Sequence, residues 1–224
     1  MGTAVRHDKP AIVAWCEIGY VLACVLAGEW VIPPRLMKDF RVRSIPVALV
    51  LIGGFISHWQ RSERPSELGF RLDNFLRALR LLVTPMLIAF CMLLMTGWAA
   101  GSINIAIALD PQRFLRRAAP LFLWGLQQQY ALQAVVNRRM QVILGKGSAS
   151  ALAVALVFAG LHAPNLALVV ATFVGGIIWA SVYQRTPNLF VLALSHCVMT
   201  TVLAATLPPQ WLHGLRVGAG YFNR

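Results

Sequence analysis

Four glutamines, two histidines and one carboxylate stand inside stretches that are otherwise almost wholly apolar. Gln127, Gln128 and Gln129 are consecutive, and Gln133 follows one helical turn after Gln129. Phe158 and His162 are spaced four apart, and so are His196 and Thr200. Side chains four apart share a helix face, so three helices each present a pair to a common interior. Imidazole titrates near neutrality and can take or give a proton in a reaction. Carboxamides donate and accept hydrogen bonds but carry no basic site. Glu17 lies in the middle of the first apolar run. The bland role for each of these residues is interhelical hydrogen bonding, at about 0.6–2 kcal/mol per bond. Three matched pairs favour a shared site instead, and Gly160, Gly175 and Gly176 allow the close helix approach it requires.

The elements that must position these residues follow from composition. Of the 224 residues, 58% are hydrophobic and only 12% are charged, against roughly 25% charged in soluble domains. Such a chain cannot cover a soluble globule with polar surface and is too apolar for disorder, which excludes a soluble enzyme and a free nucleic-acid binder. An all-α, polytopic transmembrane bundle is expected, with about seven spans at 11–32, 45–59, 78–100, 120–136, 149–163, 166–183 and 189–207. Pro33-Pro34, Pro65, Pro111, Pro164, Pro187 and Pro208-Pro209 punctuate them. The chain reads as one integral membrane domain, 1–224, without internal repeats. Residues 61–80 and 111–119 read as basic amphipathic helices at the interface.

The charge pattern is uneven. Net charge is +12, and the basic residues cluster between apolar runs, where they meet anionic lipid headgroups. All eight carboxylates (Asp8, Glu17, Glu29, Asp39, Glu63, Glu67, Asp73 and Asp110) precede position 111. Alternating the loops places 11 Lys/Arg on the N-terminal side and 9 on the other, a small bias towards a cytoplasmic N-terminus. Cys16, Cys24, Cys91 and Cys197 lack metal-knuckle spacing and read as packed thiols. The first apolar run is too long for a signal-peptide core and reads as a retained anchor. No cofactor is expected. Two imidazoles with amide oxygens fall short of the three strong ligands of a catalytic zinc, so no metal is expected either.

The series Gln128-Gln129-x-x-x-Gln133, Phe158-x-x-x-His162 and His196-x-x-x-Thr200 resembles the three motifs of the CAAX-processing and bacteriocin-processing membrane endopeptidases, the abortive-infection family. Their pattern is Glu-Glu-x-x-x-Arg, Phe-x-x-x-His and His-x-x-x-Asn/Asp. Residues 66–70 are similar to the family's amphipathic lead-in, and residues 176–188 to its stretch before the second histidine. The likeness spans 66–207, a CAAX-protease-like core, with 11–65 as N-terminal spans outside it. It implies an intramembrane endopeptidase acting on a membrane-associated peptide or protein, in a bacterial inner membrane. The site would be Gln128, Gln129, Gln133, His162, His196 and Thr200.

Three departures bear on mechanism. Glutamines replace both glutamates, Gln133 replaces the arginine, and Thr200 replaces the final Asn/Asp. In the family a glutamate is thought to activate water, with the histidines orienting it or stabilising the oxyanion. An amide cannot accept water's proton, and no carboxylate side chain follows position 110. Losing the arginine together with the glutamates is coherent, because an unpaired intramembrane arginine is costly. Two rescues are open: Glu17 as a displaced base, or a histidine as the base itself. The alternatives are a pseudoprotease that binds a membrane-tethered partner and, less favoured, a small transporter subunit.

Overall fold

The computed structural model describes residues 8–33, 35, 36, 39–104 and 111–222, and among these the regular elements are all helical. Helix α1 (Asp8–Leu26) runs into a π-helical turn, π1 (Ala27–Val31), and α2 (Phe40–Gln60) returns alongside it. Asp39 starts α2 by accepting from the Arg41 amide at 2.8 Å, a cap that satisfies one orphan donor of the first turn. Close approach is built from glycine on α2. A Cβ at Gly53 would fall 2.2 Å from the Tyr20 ring of α1, whose hydroxyl donates to Leu49 O at 2.9 Å.

Helix α3 (Phe75–Ala99) packs on α8 (Leu189–Thr206), and Gly97 lies where a Cβ would meet Thr206 O at 2.4 Å. Helix α4 (Pro111–Gln129) continues without a break through π2 (Tyr130–Asn137) into α5 (Arg138–Leu144). Helices α6 (Ser148–Gly160) and α7 (Leu166–Arg185) form the most extensive pair. A short α9 (Pro209–Leu212) and two 3₁₀ turns (His213–Leu215 and Gly218–Phe222) close the chain. Two asparagine caps tie loops to helices. Asn165 accepts from Leu168 N and donates to Leu212 O and Arg216 O, while Asn188 accepts from Val191 N and donates to Arg71 O and Asn74 Oδ1.

The polarity of the bundle is that of a protein in lipid. Trp59, Phe55 and Trp98 of α2 and α3 are among the most exposed side chains, whereas Gln129, Gln133, Asn137 and Arg139 are almost wholly buried. Among the described residues, five helices are long and apolar enough to cross a bilayer: 10–31, 40–60, 75–99, 166–185 and 189–206. The chain is an integral membrane protein.

Several expectations differ from what is found. Residues 120–136 and 149–163 are not among the five spans. The first lies on a helix whose α-helical part carries three arginines and four glutamines, and the second is a 13-residue helix, about 20 Å at 1.5 Å per residue. Residues 61–74 form turns, with no interfacial helix, because Pro65 and a left-handed Gly69 (φ +98°) interrupt the chain. Residues 75–80 are already the first turns of α3. Residues 111–119 are helical but form the start of α4. Of the cysteines, only Cys197 is buried, and Cys16 and Cys91 face outward on their helices.

Candidate functional site

Three close contacts assemble the site. Gly125 lets α4 approach α8, since a Cβ there would meet Ala193 O at 3.3 Å and His196 Cβ at 3.5 Å. Four residues on, at the end of α4, Gln129 Nε2 donates to His196 Nδ1 across 3.3 Å. Gly176 lets α7 press on α6, where a Cβ would fall 2.9 Å from Ala155 Cα. That contact packs Phe158 of α6 against Trp179 of α7 (6.0 Å between centroids) and Trp179 flat on His196 (4.9 Å, 11° between planes).

Phe158 stands between the two imidazoles. Its ring lies edge-on to His162 at 4.8 Å and to His196 at 6.2 Å, so the histidines are at most 11 Å apart. His162 Nδ1 donates to Phe158 O at 2.7 Å. A carbonyl can only accept, so the His162 proton sits on Nδ1 and the Nε2 lone pair is free. The reverse holds at His196. Its Nδ1 accepts from an amide N–H, so in the neutral ring the proton lies on Nε2. One imidazole therefore offers an acceptor and the other a donor. Trp179 Nε1 donates to Ser195 Oγ at 2.7 Å, which fixes the indole that stacks on His196.

His162, His196, Gln127, Gln128 and Thr200 line a single cavity of about 930 Å³ whose walls are mainly apolar. Gln129 and Gln133 sit behind that wall, fully buried. The π-helical turn wraps the backbone more widely than an α-helix, and Gln133 Oε1 accepts from Asn137 Nδ2 at 2.8 Å within it. Asn137 also donates to Ala180 O and accepts from Gln141 and Gln184, and Gln184 continues to Ser150. Three amide atoms remain buried without a partner among the described residues: Gln128 Oε1, Gln129 Oε1 and Gln133 Nε2. Unpaired buried amides are costly and are expected where a ligand or water completes them.

Glu17 is elsewhere. Its carboxylate accepts from Ser57 Oγ at 2.8 Å and Arg61 Nη2 at 3.0 Å, and Arg139 Nε lies 2.6 Å away. The same arginine reaches Glu63, which also holds Arg138 and the His58 ring. Burial alone would raise the Glu63 carboxyl, but hydrogen bonds from His58, Arg139 and Arg138 outweigh it and hold it well below the usual carboxylate range. This charged cluster joins α1, α2, the 61–74 loop and α5. Sequence reading missed it, although Arg138-Arg139 directly after an apolar segment was a signal that two carboxylates must be near.

Sequence reading also passed over Glu29, at the end of the first span. It lines the same cavity as the histidines. Among the described residues no three His, Cys, Asp or Glu side chains gather as a metal site.

Residues 15–202 match the family described as type II CAAX prenyl endopeptidase Rce1-like. The matched stretch begins within α1, well before the motif-bearing helices. No curated protein and no solved structure matches the chain.

Proposed function

The chain belongs to the Rce1-like family of type II CAAX prenyl endopeptidases, and from that premise we propose that it is an intramembrane endopeptidase cutting a membrane-tethered peptide. The observation that carries this reading is the complementary histidine pair at one cavity: His162 with a free Nε2 acceptor and His196 with an Nε2–H donor. His162 holds the attacking water through Nε2. His196 donates to the carbonyl oxygen as it becomes an oxyanion, the position at which a fixed donor contributes most. Gln129 acts through His196 by keeping its proton on Nε2. Gln128, whose buried Oε1 is unpartnered among the described residues, and Thr200 line the same cavity.

On this reading α4 with π2, and α6, complete a seven-helix CAAX-protease-like bundle beside the five long spans. The apolar cavity walls receive the lipid-anchored end of the substrate, and anionic headgroups contact the basic loops.

A second reading rests on the same unpartnered amides. A site lined by Gln128 and backed by Gln129 and Gln133 can bind a peptide by hydrogen bonds without cutting it, as a pseudoprotease. The test is cleavage of an internally quenched, farnesylated CAAX-type peptide, and its unlipidated counterpart, by the protein in phosphatidylcholine–phosphatidylglycerol vesicles. Wild type should release a defined product by mass spectrometry. His162→Ala and His196→Ala should each lower kcat/KM by about 10²–10⁴-fold. Peptide binding that depends on both histidines, with no product, would establish the binding reading instead.

A further inference from the structure

We infer that Glu29 is the general base of this site, the carboxylate that the first motif lacks. The inference rests on the endopeptidase reading above and adds the one group that reading leaves unassigned.

Six of the eight carboxylates have side chains that the structure describes, and five of them are committed. Glu17 and Glu63 belong to the arginine cluster. Asp39 caps α2, Glu67 Oε2 accepts from Arg64 N at 3.0 Å, and Asp73 pairs with Arg71. Glu29 alone has no hydrogen-bond or ion-pair partner among the described residues. It is also the one carboxylate of the six that lines the cavity with His162, His196 and Gln128.

Its placement is built by a close backbone contact. Glu29 sits in π1, where the widened turn interrupts the α-helical register. Gly218 packs on that turn in a left-handed conformation (φ +54°), and a Cβ there would fall 2.3 Å from Glu29 O. The Gly218 amide donates to Ala163 O at 2.9 Å. Gly218 thus clasps the backbone of Glu29 to the residue that follows His162. An L side chain at 218 would be strained and would push the two apart.

The step balances as follows. A water gives one hydrogen bond to His162 Nε2 and one to the Glu29 carboxylate. Glu29 takes the second proton as the water oxygen bonds to the peptide carbonyl carbon. The C=O electron pair moves onto oxygen, where the His196 Nε2–H donates to it. The intermediate collapses with cleavage of the C–N bond, and the proton held by Glu29 passes to the leaving amine. Arg43, on α2 and lining the same cavity, is a countercharge for the carboxylate terminus of the peptide.

The experiment uses the full chain in vesicles with the quenched farnesylated peptide. Peptide binding is read separately, by fluorescence polarisation of an uncleavable analogue. Glu29→Gln should lower kcat by about 10²–10⁴-fold and leave binding unchanged. Glu29→Asp should recover part of the rate, and formate added to Glu29→Ala should recover activity that it does not give to His162→Ala. Gel filtration in detergent checks that each variant is folded. Full activity in Glu29→Gln would overturn the assignment and leave the endopeptidase reading standing, with histidine as base. A wild type that binds the peptide through His162 and His196 but never cuts it would overturn both.

Discussion

Two regions of the bundle, fed by one continuous helix, solve the burial of polar groups in opposite ways. At Arg139, ten positions beyond Gln129, the interior is charged and every charge is matched. Glu17, Glu63, Arg61, Arg138 and Arg139 interlock across α1, α2, the 61–74 loop and α5. At Gln129 the interior is neutral and incompletely matched, with three amide atoms unpartnered around two histidines. A buried ion network holds only if each member is satisfied, whereas a neutral site can leave capacity open at lower cost. The region of matched charges is therefore the clamp, with His58 Nε2 unpartnered beside it, and on our functional reading the open amides beside the histidines serve a ligand. Glu17 illustrates the difference. An intramembrane carboxylate is a functional candidate by position, yet three hydrogen-bond donors and an ion pair with Arg139 occupy this one.

The comparison breaks first at Arg139. Removing its guanidinium leaves two carboxylates facing each other with less countercharge, and loss of one partner from a buried pair costs about 3–5 kcal/mol. Arg139→Met should lower stability in detergent by that amount, measured by denaturant unfolding. Adding Glu17→Gln and Glu63→Gln to it should not restore stability, because Arg61 and Arg138 then lose their carboxylates. Gln129→Ala, at the neutral region, should cost far less stability and act chiefly on peptide turnover.

A second expectation sharpens the same contrast through pH. The Glu63 carboxyl lies below its ordinary value in the folded chain, and an unperturbed Glu titrates near 4.3. Its contribution is then fully present above about pH 4.3 and is lost as pH falls towards the folded value, because the unfolded chain takes up the proton first. Unfolding midpoints should fall below about pH 4 in wild type. Glu63→Gln should start lower and show a flatter acid limb. His58, Arg138 and Arg139 all face this carboxylate, so the limb reports the clamp as a unit.

What the sequence made legible was local. Spacing of four put Gln129 and Gln133 in one interior, set Phe158 on His162, and marked His196 and Thr200 for one wall. Long-range pairing was not legible, since Glu63 and Arg138 are 75 positions apart and nothing in either neighbourhood names the other. Glu29 read as the end of a span because the clasp that defines its surroundings comes from Gly218, at the far end of the chain. The π-helical stretch at Tyr130–Asn137 carries no residue signature of its own. The motif likeness puts the neighbours Gln128 and Gln129 together in the site, where the structure separates one that lines the cavity from one behind it. The stretches at 120–136 and 149–163 fall outside the five long apolar helices because the helices carrying them are more polar or shorter.

The smallest effect is expected at Asn137, where the two regions meet. This side chain donates to Gln133 Oε1 and Ala180 O, accepts from Gln141 and Gln184, and precedes the arginine pair directly. Asn137→Ala removes those bonds but strands little, because Gln184 Nε2 keeps Ser150 Oγ at 3.0 Å. Gln133 Oε1 alone loses its partner outright. Interhelical bonds of this kind average about 0.6 kcal/mol, with a maximum near 1.7, and a stranded buried acceptor costs about 1–3 kcal/mol. Asn137→Ala should therefore lower stability by about 1–2 kcal/mol, well under the loss at Arg139. A double-mutant cycle with Arg139→Met tests whether the regions are independent. Additivity within about 0.5 kcal/mol would mean that clamp and site are built separately on one helix. A larger coupling would mean that the amide relay transmits strain from the clamp to His196 through Gln133 and the π-helical turn, and kcat for Asn137→Ala would then fall as well.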